Sequence, residues 1–331
     1  MNYAPEELLA HYRTMLVIRY FEEALDRLFG EGHIGGTSHF CRGQEASAMG
    51  AVAALDADDL VTSNHRGHGH FLAKGADPGR LMAELMGKQE GYSGGRGGSQ
   101  HMADFSIGFL GSNGITAGMI PVATGAALTQ KLQQTGRVVL CFFGDGACAQ
   151  GAFHEAVNMG AIWDLPIIYF IENNLYAMST RLAENFRVER LADLADGYGI
   201  PGLTVDGNDY FAVRQSTAEA VARARSGRGP TLIEARTWRA CGHSKTDQCE
   251  YRTAEEEAEW AKRDPLVLMR QRLLDGAVLG EDDARCLDEQ AQEIVAAAIA
   301  FARSAADPDP ATLLEGLYAQ SYSTAKQLSS P

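Results

Sequence analysis

The run from Arg137 to Tyr176, RVVLCFFGDGACAQGAFHEAVNMGAIWDLPIIYFIENNLY, constrains this chain more than any other stretch. Arg137 to Phe143 is apolar and β-branched and stops at Gly144-Asp145-Gly146, the pattern of a buried parallel strand entering a tight turn. Gln150 to Trp163 carries Phe153, Val157 and Ala161 at helical spacing, and Pro166 ends that helix. Ile167 to Ile171 reads as a second buried strand, closing on Glu172-Asn173-Asn174. Strand, glycine turn, helix and strand make one βαβ crossover, so the expected class is α/β, a mainly parallel sheet with helices on both faces. Both polar clusters fall at the carboxyl ends of their strands, where open α/β sheets hold ligands.

The chemistry of the two clusters suits a metal-bridged diphosphate. Gly144 and Gly146 let backbone approach phosphate oxygens, and the following helix N-terminus favours negative charge. Asp145 between them would repel a bare diphosphate, a conflict that a bridging Mg²⁺ removes by taking oxygen ligands from both. Asn174 can add an amide oxygen and Tyr176 a backbone carbonyl. GDG followed by NN resembles the thiamine diphosphate fingerprint. Two other readings compete. A nicotinamide-binding Rossmann turn would use Glu172 on the ribose, but its fingerprint has no Asp between the first two glycines and Gly151 lies too far on. Alternatively, Asp145 caps a helix in an ordinary α/β core, which leaves the paired Asn residues without a role.

Composition narrows the partners. The net charge of −14 over 331 residues argues against nucleic acid and against an anionic membrane surface. Cys41, Cys141, Cys148, Cys241, Cys249 and Cys286 show no CxxC pair and suit free thiols in a reducing cytoplasm. No run reaches membrane-spanning length, and the opening MNYAPEELLAHY lacks the regions of a signal peptide. A cytoplasmic location is therefore expected.

Along the rest of the chain, Pro5 to Gly30 is predicted as one amphipathic helix, with Pro5, Glu6 and Glu7 in its first turn. His33 to Gly43 is glycine-rich and irregular, Gln44 to Leu55 helical, and Asp58 to Val61 leads into a short strand. Ser63 to Gly75, SNHRGHGHFLAKG, reads as a glycine-broken loop after that strand. Its His65, His68 and His70 could be zinc ligands or solvated side chains, but Arg66 and His68 also suit charge-assisted hydrogen bonds to a diphosphate. Gly91 to Ser99 is glycine-dense and no Walker motif occurs; Gly111 to Gly118 precedes a helix from Pro121 to about Leu132. Ala177 to Asn185 reads as loop, Arg190 to Tyr198 and Phe211 to Arg225 as helices, Gly202 to Gly207 and Thr231 to Ala235 as strands. His243 then sits in a polar loop after a strand, a position suited to proton transfer. From Thr253 onward the chain turns acidic and helical, dividing it into 1–252 and a helical extension 253–331 whose closing STAKQLSSP reads as a frayed tail.

With HRGHG, GDG…ENN and GHS…YR in place, the chain resembles the α subunit of thiamine diphosphate-dependent 2-oxo acid dehydrogenases, with acetoin dehydrogenases as close relatives. The resemblance covers nearly the whole chain and implies the thiamine diphosphate-binding fold with an N-terminal helix. It implies Mg²⁺ on Asp145, Asn174 and the Tyr176 carbonyl, with Gly144, Gly146 and Ala147 along the diphosphate. His65, Arg66 and His68 would flank the cofactor, Gly114 and Thr116 would contact its aminopyrimidine ring, and His243 would move protons beside its thiazolium. Ser244 matches a position phosphorylated in mitochondrial relatives. His65 stands where pyruvate enzymes commonly have Tyr; Ala149 replaces a frequent Asn, and Cys241 stands where many pyruvate enzymes carry an extra His. The implied reaction is cleavage of a 2-oxo acid, pyruvate first, or of acetoin, with the acyl group passed to a lipoyl-bearing acyltransferase component. A β subunit would supply the glutamate that holds the aminopyrimidine, so an αβ pair, usually doubled, is implied. A thiamine-dependent carboligase or acyl-transfer enzyme of secondary metabolism, and a non-catalytic regulatory homologue, are the alternatives.

Overall fold

The computed structural model describes residues 3–316; the tail expected over 323–331 lies outside them. Helix α1 (Pro5–Gly30) opens the chain as predicted, followed by α2 (Glu45–Val52), β1 (Leu60–Thr62), α3 (His68–Ala73), α4 (Pro78–Leu85), β2 (Phe109–Gly111) and α5 (Met119–Gln133). The central unit is β3 (Val139–Gly144), α6 (Gly151–Ile162) and β4 (Ile167–Asn173). A small hairpin, β5 (Tyr176–Ala177) and β6 (Thr180–Arg181), leads to the one-turn α7 (Leu182–Asn185), then β7 (Gly202–Asp206), α8 (Tyr210–Arg225) and β8 (Thr231–Arg236). Helices α9 (Ala254–Ala261), α10 (Pro265–Asp275) and α11 (Glu281–Ser304) follow.

Six strands form one sheet in the order β2-β1-β3-β4-β8-β7, and every pairing in it is parallel. The chain moves outward from β1 to β2, then returns to β3 on the other side of β1 and continues to β4. This reversal makes the carboxyl ends of β1 and β3 the switch point where such sheets bind ligands. Successive strand residues point to opposite faces, so β3 and β4 split their side chains between two cores. Leu140, Phe142, Ile168 and Phe170 pack with residues of α1, α2 and α8. Val139, Cys141, Phe143, Ile167, Tyr169 and Ile171 pack with residues of α5 and α6. Burial on both faces is why these strands read as unbroken apolar runs, each buried Phe or Ile contributing about 1.5–3 kcal/mol. Gly160 lets α6 lie close on β4: a Cβ there would stand 2.3 Å from the Tyr169 hydroxyl.

Two stretches expected as loop are partly ordered. Residues 68–73 of the glycine-broken segment form α3, because Phe71 and Leu72 are buried in the first core and that packing overrides the helix penalty of Gly69. Residues 177–185 contain the rest of the β5–β6 hairpin and α7. Residues 191–198, expected as helical, form a 3₁₀ helix. Beyond the composition change at 253, α11 packs against α4 and α1, with Ala291, Val295, Ala298 and Ala302 in the same core as Leu25 and Met82. All six cysteines are free thiols, and among the described residues no helix is long and apolar enough to cross a membrane.

Candidate active site

A cavity of about 250 Å³ opens at the carboxyl ends of β1, β3, β4 and β8. Asn64, His65 and Arg66 reach it from the turn after β1, Gly144 to Ala147 from the turn after β3, Glu172, Asn174 and Tyr176 from the end of β4, and Arg239 and His243 from the loop after β8. The register explains the convergence: Gly144 pairs with Glu172 and Asn173 with Arg236, so the residues just past each pair emerge side by side.

Asp145 and Asn174 are 2% and 5% exposed, and Asp145 Oδ2 and Asn174 Oδ1 have no hydrogen-bond partner among the described residues. Burial pushes the Asp145 carboxyl up to about 6. Two buried, uncompensated oxygens aimed into one cavity are costly unless something there compensates them. The set, with the backbone of Tyr176 beside it, suits a hard cation that takes oxygen ligands. Gly146 is required at this turn, since a Cβ there would lie 2.9 Å from that of Ala177, while a Cβ at Gly144 would meet nothing within 4 Å and project into free space. The helix-cap reading of Asp145 does not hold, because the N-cap of α6 is Gln150 and Asp145 lies in a separate 3₁₀ turn.

The groups behind these oxygens are fixed. Asn174 Nδ2 donates to Gln44 Oε1 at 3.3 Å, which leaves Oδ1 as the face turned to the cavity. Glu172 Oε1 accepts from Ser47 Oγ at 2.5 Å and contacts His70 Nε2 at 3.2 Å. Burial alone would raise the Glu172 pKa, but His70, Ser47 and Gln44 hold it below the usual range. Its Oε1 is therefore committed within the protein, while Oε2 has no hydrogen-bond partner among the described residues.

The loop after β8 is braced by two arginines. Arg239 donates through Nε to the Cys241 carbonyl at 3.1 Å and through Nη2 to the Tyr251 hydroxyl at 2.8 Å. Arg252 donates to the Arg239 carbonyl at 2.7 Å and lies 4.2 Å over the Trp238 ring. His243 donates its backbone N–H to Asp247 Oδ2 at 2.6 Å. Its carbonyl accepts from Arg66 Nη2 at 3.0 Å, and its Nδ1 lies 3.3 Å from the same nitrogen. Burial and the Arg66 and Arg239 charges lower the His243 pKa to about 4, so it is neutral near pH 7 rather than titrating there.

The structure sends the three clustered histidines to different places. His65 lines the cavity, makes no hydrogen bond among the described residues, and has its pKa lowered to about 2 by burial and Arg66. His68 is fully buried outside the lining, with Nδ1 2.6 Å from Glu22 Oε1 and Nε2 2.9 Å from Ser99 Oγ. His70 stacks on Phe142 with ring centroids 3.8 Å apart. They therefore do not form the zinc set weighed from sequence. Thr116 and Ala147 line the cavity; Gly114 does not, and a Cβ on it would meet Gln100 Oε1 at 2.3 Å. Sequence reasoning missed His39, whose ring centroid lies 4.7 Å from that of His65 and 4.9 Å from that of His243. It also missed Gln44 and Arg239. None has a local signal, since each sits in an ordinary loop or helix start until the fold closes.

The family model described as "Dehydrogenase E1 component" matches residues 13–311. The chain is 42% identical over 314 residues to the α subunit of acetoin:2,6-dichlorophenolindophenol oxidoreductase from Cupriavidus necator, covering 95% of this chain and 94% of that protein. The protein of the same description from Bacillus subtilis is 41% identical over 321 residues, 96% of this chain and 95% of that protein. The pyruvate dehydrogenase E1 component subunit alpha of Rhizobium meliloti is 40% identical over 313 residues, covering 94% and 90%.

Proposed function

The chain belongs to the dehydrogenase E1 component family, and from that premise we propose that it is the α subunit of a thiamine diphosphate- and Mg²⁺-dependent dehydrogenase acting on a 2-oxo acid or acetoin. The observation that carries the reading is the pair of buried, unpartnered oxygens, Asp145 Oδ2 and Asn174 Oδ1, lining one cavity with a glycine turn at its floor. Neither a carboligase of secondary metabolism nor a regulatory homologue is favoured by the relatives, which are named as dehydrogenase and oxidoreductase α subunits.

Asp145, Asn174 and the Tyr176 carbonyl would hold Mg²⁺, and the 144–147 turn with Arg66 would take the diphosphate. Thiamine diphosphate, when bound, supplies the electron sink for cleaving a bond next to a carbonyl. The protein's part is positioning and proton handling. Arg66, anchored by the Phe40 carbonyl at 2.7 Å and the His243 carbonyl at 3.0 Å, keeps a charge beside the site and ties the loop after β8 to the turn after β1. His243, accepting at Nδ1, carries its proton on Nε2 and is the group we assign to proton transfer. His68 acts through Glu22 and Ser99, holding the turn that presents Arg66 rather than touching the cofactor.

The lining offers two carboxylates, Asp145 at the metal position and Glu172 bound to Ser47 and His70. A β subunit that brings a third for the aminopyrimidine fits this inventory. Exposed Ile115 and Met178, 71% and 63% accessible beside the cavity, suit a covering chain. Transfer of the acyl group to a lipoyl-bearing component completes the proposal. Co-expression with a β-type partner and a native mass spectrum test it. A mixed assembly retaining thiamine diphosphate and Mg²⁺, and oxidising pyruvate or acetoin with 2,6-dichlorophenolindophenol as acceptor, is expected. An assembly that binds no thiamine diphosphate at any Mg²⁺ concentration would overturn it.

Gln44 gives a sharper expectation. Gln44→Met keeps the volume but removes the acceptor that orients Asn174. The Mg²⁺ concentration for half-maximal cofactor binding, measured by titration calorimetry, should rise about 10-fold or more. Saturating Mg²⁺ should restore cofactor affinity to within a few-fold, which a general loss of structure would not allow.

A further inference from the structure

We propose that His39, His65 and His243 form a second metal site, for a borderline transition cation of the zinc class, at the mouth of the cavity, and that filling it closes the cavity to substrate. The three come from the segment before α2, the turn after β1 and the loop after β8. One ring nitrogen of each lies within 4.8 Å of those of the other two, and no other group of three potential metal-ligating side chains this close occurs among the described residues. The ring centroids are 4.7, 4.9 and 5.7 Å apart, with planes tilted or edge-on.

Three imidazoles with an open fourth position are a set that zinc accepts, at Zn–N distances of about 2.0–2.1 Å. Tetrahedral angles at that length put the nitrogens about 3.3 Å apart, so closure requires side-chain rotation inward of an ångström or so. All three rings are partly buried, neither fully enclosed nor exposed. Burial together with the Arg66 charge keeps all three neutral near pH 7, the form that binds a metal. The site is chemically distinct from the deeper oxygen set. Nitrogen ligands select zinc, cobalt or copper, whereas Asp145, Asn174 and a carbonyl suit magnesium.

Opposing features set its strength. Arg66 and Arg239 place positive charge nearby. Gln100 Nε2 lies 3.1 Å from His39 Nδ1 and Arg66 Nη2 3.3 Å from His243 Nδ1, so binding through Nε2 moves the proton of each ring to Nδ1 and sets the His243 N–H against a guanidinium that can only donate. Gln100 can turn its amide to accept that proton, and Arg66 keeps its 3.0 Å bond to the His243 carbonyl. These costs make the site weaker than a structural zinc centre and its filling reversible. Metal binding here stands on the histidines alone; inhibition of turnover rests on the function proposed above.

The test uses the αβ assembly loaded with Mg²⁺ and thiamine diphosphate and takes Co²⁺ as a spectroscopic probe. One equivalent should give the intense visible absorption of four-coordinate cobalt, displaced by Zn²⁺ but not by excess Mg²⁺. Zn²⁺ should inhibit turnover in parallel, and a chelator should restore it. His65→Asn and, independently, His39→Asn should each weaken cobalt affinity by an order of magnitude or more, while the double variant Cys241→Ser/Cys249→Ser should not. Cobalt that stays six-coordinate, or binds equally to both histidine variants, overturns the site. An assembly that shows the cobalt band yet never binds thiamine diphosphate would instead overturn the proposed function and leave the site standing.

Discussion

Asp145→Asn is expected to abolish Mg²⁺-dependent binding of thiamine diphosphate, with affinity loss of 100-fold or more, and at the same time to stabilise the ligand-free protein. Both effects have one cause. The carboxylate is 2% exposed, its Oδ2 has no partner, and burial raises its pKa from 3.8 to about 6. A folded-state pKa above the unfolded one means that the folded chain holds the proton more tightly, so the ionised group destabilises it above that pKa. Roughly two pKa units correspond to about 3 kcal/mol, present in full above pH 6 to 7, shrinking as pH falls through 6, and gone below about 4. The gain in melting temperature of Asp145→Asn over the parent should follow that window. The difference between the two proteins is the quantity to read. His39, His65 and His243, with pKa values lowered to about 3, 2 and 4, push the other way in both proteins, because each must charge in the unfolded chain as pH falls below 6.5. Mg²⁺ with thiamine diphosphate should raise the melting temperature of the parent and leave Asp145→Asn unmoved. Normal cofactor affinity in the variant would remove the metal assignment.

His243→Ala should lower kcat by about 10²–10⁴-fold while leaving cofactor affinity within a few-fold. Its backbone N–H to Asp247 and its carbonyl to Arg66 survive truncation, so the loop and the guanidinium beside it keep their places. What disappears is the Nε2 proton. His243→Asn retains a donor and should recover part of the loss, an outcome that a purely structural role does not produce. Unchanged turnover in His243→Ala would reduce the residue to a wall of the cavity.

Much of the placing of Asp145 and Asn174 was legible in the chain because its parts are close in sequence and their spacing is dictated by backbone geometry. A buried strand, a Gly-Asp-Gly turn, one helix and a second strand can close only as a parallel βαβ unit, and that places Asp145 beside Asn174. Helix α1 was equally plain, since Pro5, the acidic first turn and the apolar period act locally. The histidine segment shows where local reading stops. His68 and His70 look like one cluster with His65, but α3 starts at His68, and residues two apart on a helix point about 200° away from each other. One reaches Glu22 on α1, the other Phe142 on β3, and only His65, still in the turn, reaches the cavity.

By itself the sequence determined the α/β class, the crossover and the turns that carry Asp145 and Asn174, because secondary-structure period and turn chemistry are short-range properties that neighbouring residues settle between themselves. Only the tertiary structure decided that His39, His65 and His243 share one wall, that Gln44 aims Asn174, and that burial and two arginines keep those histidines neutral. Those are outcomes of sheet order, which brings residues 39, 65 and 243 to one edge across long stretches of intervening chain, and of desolvation, which has no value until the core exists.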